Sequence, residues 1–150
     1  MKKITFSAQI SAPKHRVWET MLQDTTYREW TKPFNPHGSW YEGTMSQDAI
    51  IRFLGPDEKG RIGGMISRVA AFEPEHQITF EHFGQIQQGI DDTTSDAVKG
   101  WAGSFERYTF DEVEGKTSLT VELMVPEDFV GYMEETWPKA LDALKDLCTK

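Results

Sequence analysis

The spacing of apolar residues changes along the chain between a period of two, typical of strands, and the helical period of about 3.6. Lys2–Ser11 alternates and predicts a strand. Its apolar face is formed by Ile4, Phe6, Ala8 and Ile10. Ala12-Pro13 then opens a helix with proline in its first turn, where the missing N–H is harmless. A second short helix is expected from Thr25 or Thr26, and a loop with two prolines and a glycine follows it.

From Trp40 onward the period of two returns. It predicts six further strands, over Ser39–Gln47, Ala49–Leu54, Gly64–Glu73, Gln77–Gln88, Trp101–Asp111 and Thr117–Pro126. Since short turns join most of these strands, we expect an antiparallel meander and a strongly curved sheet of seven strands. The acidic segment Gly89–Gly100 is expected to be a solvated, mobile hairpin loop, in a position that could close one end of a cavity.

The chain ends in a predicted amphipathic helix from Glu127 to Cys148. Its apolar stripe is Phe129, Val130, Met133, Trp137, Ala140, Leu141, Leu144, Leu147 and Cys148. Pro138 lies inside this helix, where a proline removes a backbone hydrogen bond at a cost of about 3 kcal/mol. We therefore predict a kink near Trp137 that frees the carbonyl of Glu134. The fold class is α+β, with the sheet wrapped around this helix.

Length, charge and cysteine content limit the classes of function that the chain can have. A chain of 150 residues predicts a single domain, 1–150. The net charge of −8, without a basic cluster, argues against nucleic acid and against anionic membranes as partners. The first residues alternate instead of forming an apolar run, so no signal peptide is expected. One cysteine, Cys148, is expected in the core and fits a reducing cytoplasm.

Five stretches, in order, carry a family resemblance: APKHRVWETMLQDTTYREWT, GSWYEGTMSQDAIIRFLG, GGMISRVAAFEPEHQITFEHFGQI, FERYTFDEVEGKTSLTVEL and WPKALDALKDL. The chain resembles the START-like (SRPBCC, Bet v 1-like) superfamily, and within it the activator of Hsp90 ATPase homologue-like branch. The resemblance implies a helix-grip fold, in which seven antiparallel strands grip the C-terminal helix around an apolar cavity. Members bind lipids, polyketides or other hydrophobic molecules, and some are cyclases or hydrolases.

Candidate ligand-binding residues are the large side chains expected on the concave side of this sheet. They are Trp30, Phe53, Met65, Phe80, His82, Trp101, Tyr108, Phe129, Met133, Trp137 and Leu141. The alternative is that most of them fill a close-packed core. His82 is in phase with Ile78 and Phe80, so it either points into the cavity and orients a ligand or bonds to a neighbouring strand or solvent.

Other polar residues give weaker indications. The four histidines lack the paired spacing of a zinc site, so no metal is expected. Cross-strand charge pairs on an exposed face explain most of the six charged residues on predicted strands, which are Glu81, Glu106, Glu122, Arg52, Arg68 and Arg107. A catalytic pair of carboxylates among them is left open. No nucleotide-binding or nucleophile motif occurs, so no catalytic residue and no cofactor are predicted.

These observations favour a soluble cytoplasmic protein, monomer or homodimer, that binds a small hydrophobic molecule between the sheet and the C-terminal helix. One alternative is a cyclase or hydrolase that uses His82 with a nearby carboxylate. Another is a co-chaperone-like protein-interaction module. The co-chaperones that give the branch its name carry an additional N-terminal domain and a linker, for which 150 residues leave no room.

Overall fold

Eight strands and four helices follow one another in the computed structural model, which describes residues 1–150. The strands are β1 (Lys2–Ile10), β2 (Trp40–Glu42), β3 (Ile50–Pro56), β4 (Ile62–Glu73), β5 (Gln77–Gln87), β6 (Ile90–Asp92), β7 (Phe105–Val113) and β8 (Lys116–Val125). The helices are α1 (Lys14–Leu22), α2 (Asp24–Trp30), α3 (Asp96–Lys99) and α4 (Glu127–Cys148). None of the helices carries an apolar stretch long enough to cross a membrane.

All strands belong to one antiparallel sheet. Its order is β1-β8-β7-β5-β4-β3-β2, and β6 pairs with β5 outside this path. In β8 every second residue is buried, as the period of two predicts. Val121 of β8 lies opposite Phe6 on one side and opposite Tyr108 on the other. The apolar faces of neighbouring strands therefore coincide and form one concave surface.

Strand β4 carries two irregularities in its pairing. Its pairing with β5 is irregular between Ile66 and Ser67 and again between Val69 and Ala71, and such bulges bend a strand and increase its twist. At Gly64 a Cβ atom would lie 1.7 Å from the carbonyl oxygen of Phe53. Only glycine therefore allows β3 to approach β4 at this point. The bend gives the sheet the curvature that wraps it around α4.

Helices α1 and α4 fill one end of the concave surface. Val17 and Met21 of α1 have 0% of their surface exposed, as do Leu144 and Cys148 of α4. These side chains belong to one core cluster of 21 buried residues. The predicted core position of Cys148 is confirmed. The α+β fold with a curved antiparallel sheet, two short helices after the first strand and a long terminal helix is confirmed as well.

Helix α4 runs from Glu127 to Cys148 without a break, so Pro138 marks neither its start nor its end. The proline lies on the exposed side of the helix, between the buried residues Trp137 and Ala140. Because Pro138 has no N–H, the carbonyl of Glu134 loses its helical partner on a side where water reaches it. This placement explains why the helix tolerates the proline. The kink itself stays a prediction.

Three sequence-based element predictions were wrong. The strand expected over Ser39–Gln47 is limited to Trp40–Glu42, because Gly43 turns the chain with a φ of 118°. The strand expected from Trp101 begins at Phe105, after a turn in which Gly103 has a φ of 92°. Each glycine interrupts an apolar pattern that would otherwise favour a continuous strand.

The third error concerns Gly89–Gly100, which is more ordered than a hairpin loop. It contains β6 and α3, and β6 raises the strand count from seven to eight. The side chain of Ser95 caps α3 by accepting a hydrogen bond from the N–H of Val98 at 3.3 Å. A cap followed by one helical turn is too short for periodicity to reveal.

Candidate functional site

An apolar cavity of about 470 Å³ lies between the concave face of the sheet, α2 and the first half of α4. Of its 21 lining residues, 14 are hydrophobic, which is the usual composition of a small-molecule site. The loop after α2 forms part of the wall. It is attached to α4 because the hydroxyl of Tyr132 donates to the carbonyl of Phe34 at 2.6 Å. Phe129, which is 54% exposed, stands at the rim.

Nine of the eleven predicted ligand-binding residues line this cavity. They are Trp30, Phe53, Met65, His82, Trp101, Tyr108, Phe129, Met133 and Trp137. Phe80 and Leu141 do not reach the cavity, since both lie in the buried core with 1% and 5% exposure. Phe80 supports the wall from behind, because its ring packs 5.1 Å from Phe53 and 5.9 Å from Tyr108 between centroids.

Trp137 joins α4 to α2, to the loop after α2 and to β7. Its ring lies 5.0 Å from Phe34, 5.8 Å from Trp30 and 6.0 Å from Tyr108, measured between centroids. All three contacts are tilted or edge-on, the arrangements that aromatic pairs prefer. The residue just before Pro138 therefore fixes α4 against α2 and β7.

Glu106 is the one carboxylic residue in the cavity wall. Strand β7 alternates, and Glu106 shares the concave face with the buried residues Tyr108 and Phe110. The hydroxyl of Tyr108 donates a hydrogen bond to Oε2 of Glu106. Burial among protein atoms raises the pKa of Glu106 to about 7, although the Tyr108 hydrogen bond lowers it. The residue keeps partial exposure because it opens into the cavity.

Two tyrosines extend this polar cluster. Burial, together with the nearby Glu106 charge, raises the pKa of Tyr108 well above its ordinary value. The same two causes, in the same order, raise the pKa of Tyr27, which enters the cavity from α2. Both phenols stay protonated at neutral pH, so they act as hydrogen-bond donors and not as charges.

His82 reaches the cavity from β5 and also bonds to a neighbouring strand. Its Nδ1 lies 2.6 Å from the hydroxyl oxygen of Ser67 on β4. Burial lowers the pKa of His82 to about 4, so the ring is neutral at pH 7. His82 therefore lines the cavity, as one sequence-based alternative expected, and bonds to a neighbouring strand, as the other expected. The side-chain partner of His82 is the Ser67 hydroxyl and not a carboxylate.

The backbone at His82 also explains how Trp101 joins the site. The N–H of His82 donates to the carbonyl of Ser104 at 2.8 Å, and its carbonyl accepts from the N–H of Gly103 at 2.9 Å. These bonds attach the turn after α3 to β5. The turn places both Trp101 and Ser104 in the cavity wall. A strand at this position would have placed these two residues differently.

Cross-strand pairs on an exposed face were expected to explain most of the six charged strand residues, and Glu106 is the exception because it lines the cavity. The other charged strand residues do form cross-strand pairs: Arg68 with Glu81 at 3.5 Å, Arg107 with Glu122 at 3.8 Å, and Arg52 with Asp91 at 2.6 Å. The signal that identifies Glu106 is its phase, two residues before Tyr108 and four before Phe110. No three His, Cys, Asp or Glu side chains come together to hold a metal ion.

A second, larger depression of about 830 Å³ adjoins the cavity. It is an open groove between the loop after α2 and the β3–β4 hairpin, and polar or glycine residues form most of its wall. The two spaces share Tyr27, Ser39, Phe53 and Met65. We take the smaller space as the candidate site because it is more enclosed and apolar, which is what a buried ligand requires.

Comparisons with known proteins place this geometry among solved folds. No family model matches the chain, and no curated protein matches its sequence. Protein NE0264 from Nitrosomonas europaea is 11% identical over 97% of this chain and 92% of its own length, with a TM-score of 0.73. The Aha1 dimer from Colwellia psychrerythraea is 17% identical over 97% and 95%, with a TM-score of 0.69.

A third neighbour is larger than this chain. DynU16, from the dynemicin biosynthetic locus, is 15% identical over 97% of this chain, which spans 46% of DynU16, with a TM-score of 0.67. At such identities a likeness establishes the fold alone. The chain therefore has the helix-grip fold that its sequence predicts.

Proposed function

We propose that this protein binds a small hydrophobic molecule in the cavity between the sheet, α2 and α4. The observation that carries the proposal is an apolar space of about 470 Å³, more enclosed than the adjoining groove, with 14 hydrophobic residues in its wall. Cavities that hold a drug-sized ligand measure about 300–1,000 Å³ and are lined mainly by apolar side chains. The occurrence of the same fold in DynU16, from a biosynthetic locus, agrees with a role around small molecules.

The wall also has the polar groups that orient a ligand in such a site. Glu106, His82 and Tyr27 reach the cavity from three different elements. The rest of the wall is predominantly aromatic and aliphatic. A ligand here gains affinity from burial of its apolar body and orientation from a few polar contacts.

The proposal is tested by isothermal titration calorimetry with 1-naphthylmethanol, a neutral aromatic probe. We expect saturable binding to the wild-type protein and, in Met65→Trp, an affinity reduced by about tenfold, because the larger side chain occupies the cavity. Ile90→Trp is the matched control, since Ile90 is 70% exposed and does not line the cavity. It should bind the probe as the wild type does.

Two results would contradict the proposal. One is the absence of heat from binding at the solubility limit of the probe. The other is equal affinity of Met65→Trp and wild type, with both folded by near-UV circular dichroism, because the probe would then bind elsewhere.

An enzyme on the same scaffold is the second candidate, and the buried Glu106 carboxyl favours it. A carboxyl with a pKa of about 7 suits general acid–base catalysis at neutral pH. This candidate predicts that the protein hydrolyses 1-naphthyl acetate and that Glu106→Gln does not. Release of naphthol at the protein-free rate would favour the binding role.

We also propose that the chain is related to the activator of Hsp90 ATPase homologue-like branch, as the five quoted stretches suggest. The fold shared with the Aha1 dimer supports this relation. We expect a ligand-binding role without co-chaperone activity. Stimulation of a purified Hsp90 ATPase by this domain alone would instead favour the protein-interaction module.

A further inference from the structure

The cavity wall has an unusual balance of charge. It contains no lysine and no arginine, and Glu106 is the only group in it that carries a charge near pH 7. The arginine that follows, Arg107, points to the other face of the sheet, where it pairs with Glu122. No cation of the protein therefore neutralises Glu106 when it is ionised.

One oxygen of Glu106 is available to a ligand. Oε2 accepts a hydrogen bond from Tyr108. Oε1 has no hydrogen-bond partner in the protein. By contrast, every fully buried side-chain nitrogen or oxygen atom in the chain has one. Oε1 is therefore open to solvent-sized molecules, and the space it faces is the cavity that Glu106 lines.

The walls around this carboxyl suit a cation. Nine of the 21 lining residues are aromatic: Tyr27, Trp30, Phe34, Phe53, Trp101, Phe105, Tyr108, Phe129 and Trp137. Tyr108, which bonds to Glu106, packs 6.0 Å from Trp137 between ring centroids. Aromatic faces attract ammonium groups, most strongly where water is excluded. The net charge of −8 favours the approach of cations as well.

We propose, building on the proposed function, that the cavity selects a lipophilic amine whose apolar body fills the aromatic space and whose ammonium group donates a hydrogen bond to Oε1 of Glu106. A neutral molecule of the same shape would gain the apolar contacts only. A carboxylic acid would meet the like charge of Glu106 and bind weakly.

Binding of an amine requires Glu106 to be ionised. The other titratable groups at the cavity do not compete in this range: Tyr27 and Tyr108 have raised pKa values, and His82, whose pKa is about 4, stays neutral. With the pKa of Glu106 at about 7 in the free protein, a protonated amine binds below this pH with release of the carboxyl proton. Affinity for the amine therefore rises with pH, while affinity for a neutral probe does not.

The test compares 1-naphthylmethylamine with 1-naphthylmethanol by isothermal titration calorimetry. The two probes differ in an ammonium against a hydroxyl group. A charge-assisted hydrogen bond predicts that wild type prefers the amine by about tenfold or more at about pH 8. Glu106→Gln should lose this preference, because its neutral amide has no charge for the ammonium group to pair with. Glu122→Gln is the matched control on the other face of the sheet, and it should keep the preference.

Each result distinguishes the two proposals. If wild type binds 1-naphthylmethanol but shows no preference for the amine, or if Glu106→Gln keeps that preference, the amine proposal is overturned and the proposed function stands. If neither probe binds, the proposed function fails and the amine proposal fails with it. A rise of amine affinity from about pH 6 to pH 8, with proton release at the lower pH, would support the assignment to Glu106.

Discussion

The two halves of α4 lie against the same sheet but meet it differently. From Ala140 onward the helix packs into a closed end, in which Ala140, Leu144 and Cys148 are fully buried. The preceding half borders a hollow end, in which Met133 is partly buried and Phe129 is 54% exposed. The division falls at Pro138, between Trp137 and Ala140.

The two ends also differ in whether their polar side chains have hydrogen-bond partners within the protein. At the closed end the hydroxyl of Thr117 donates to the carbonyl of Ala12 at 2.7 Å, and the hydroxyl of Thr20 donates to the carbonyl of Arg16 at 2.7 Å. At the hollow end Glu106 has an oxygen without a protein partner. Polar groups at the closed end are thus satisfied within the fold, whereas the hollow end leaves a carboxylate oxygen open to the cavity.

The largest expected effect separates the two ends by stability. Leu144→Ala should reduce the free energy of unfolding by about 2–5 kcal/mol, because it leaves a hole in a close-packed core. Met133→Ala, at the cavity wall, should reduce it by about 1 kcal/mol or less. Urea denaturation followed by fluorescence measures both. Equal losses would contradict the distinction between a closed and a hollow end.

A smaller effect tests the burial of Glu106. Its folded-state pKa of about 7 exceeds the ordinary value of 4.5, so its contribution to stability is complete below pH 4.5 and is lost as pH rises through about 7. Glu106→Gln should match wild type near pH 4.5 and exceed its free energy of unfolding by about 1–2 kcal/mol at pH 8, since the residue opens partly to the cavity. A difference between the two proteins that does not vary with pH would contradict this placement.

His82 should act in the opposite direction. Its folded-state pKa of about 4 lies below the ordinary value of 6.5, so its contribution is complete above pH 6.5 and is lost as pH falls through about 4. As pH falls from 6.5 to about 4, the free energy of unfolding of His82→Gln should therefore decrease by about 1 kcal/mol less than that of wild type. Urea denaturation at a series of pH values measures it. Parallel pH profiles would place His82 in solvent.

An effect of similar size concerns the boundary between the ends. Pro138→Ala restores an N–H that can donate to the carbonyl of Glu134, and we expect a gain of about 1 kcal/mol in the free energy of unfolding. A straighter helix should also change the hollow end and weaken binding of 1-naphthylmethanol. Lys139→Ala, at the next exposed position, is the control. A loss of stability in Pro138→Ala would contradict the predicted kink.

How far the sequence predicts this molecule also differs between the ends. The strict alternation of β8 and the helical stripe of α4 identify the closed core, because burial there follows period alone. The hollow end depends on shape as well. Phase places Phe80 beside His82, but packing of Phe53 and Tyr108 over Phe80 keeps it out of the cavity. Trp101 reaches the wall through a turn that its strand-like sequence did not reveal.

Glu106 is the opposite case, because its phase in the strand indicated a cavity position but its charge favoured an exposed one. Its phase matches Tyr108 and Phe110, yet a carboxylate on a strand is expected in solvent because burying a charge is costly. The hydrogen bond from Tyr108 and the raised pKa lower that cost. Conflicts between a residue type and its phase therefore identify candidate site residues that composition alone misses.

The most direct test of the account uses the methionine methyl groups. Met65, Met124 and Met133 line the cavity, whereas Met21 is fully buried in the closed end and Met1 and Met45 lie outside the wall. Addition of 1-naphthylmethanol to protein labelled with ¹³C at the methionine methyls should shift the three cavity signals through the ring current of the probe. It should leave Met21, Met1 and Met45 in place. Shifts confined to Met1 or Met45, or no shifts at saturating probe, would contradict a ligand-binding cavity.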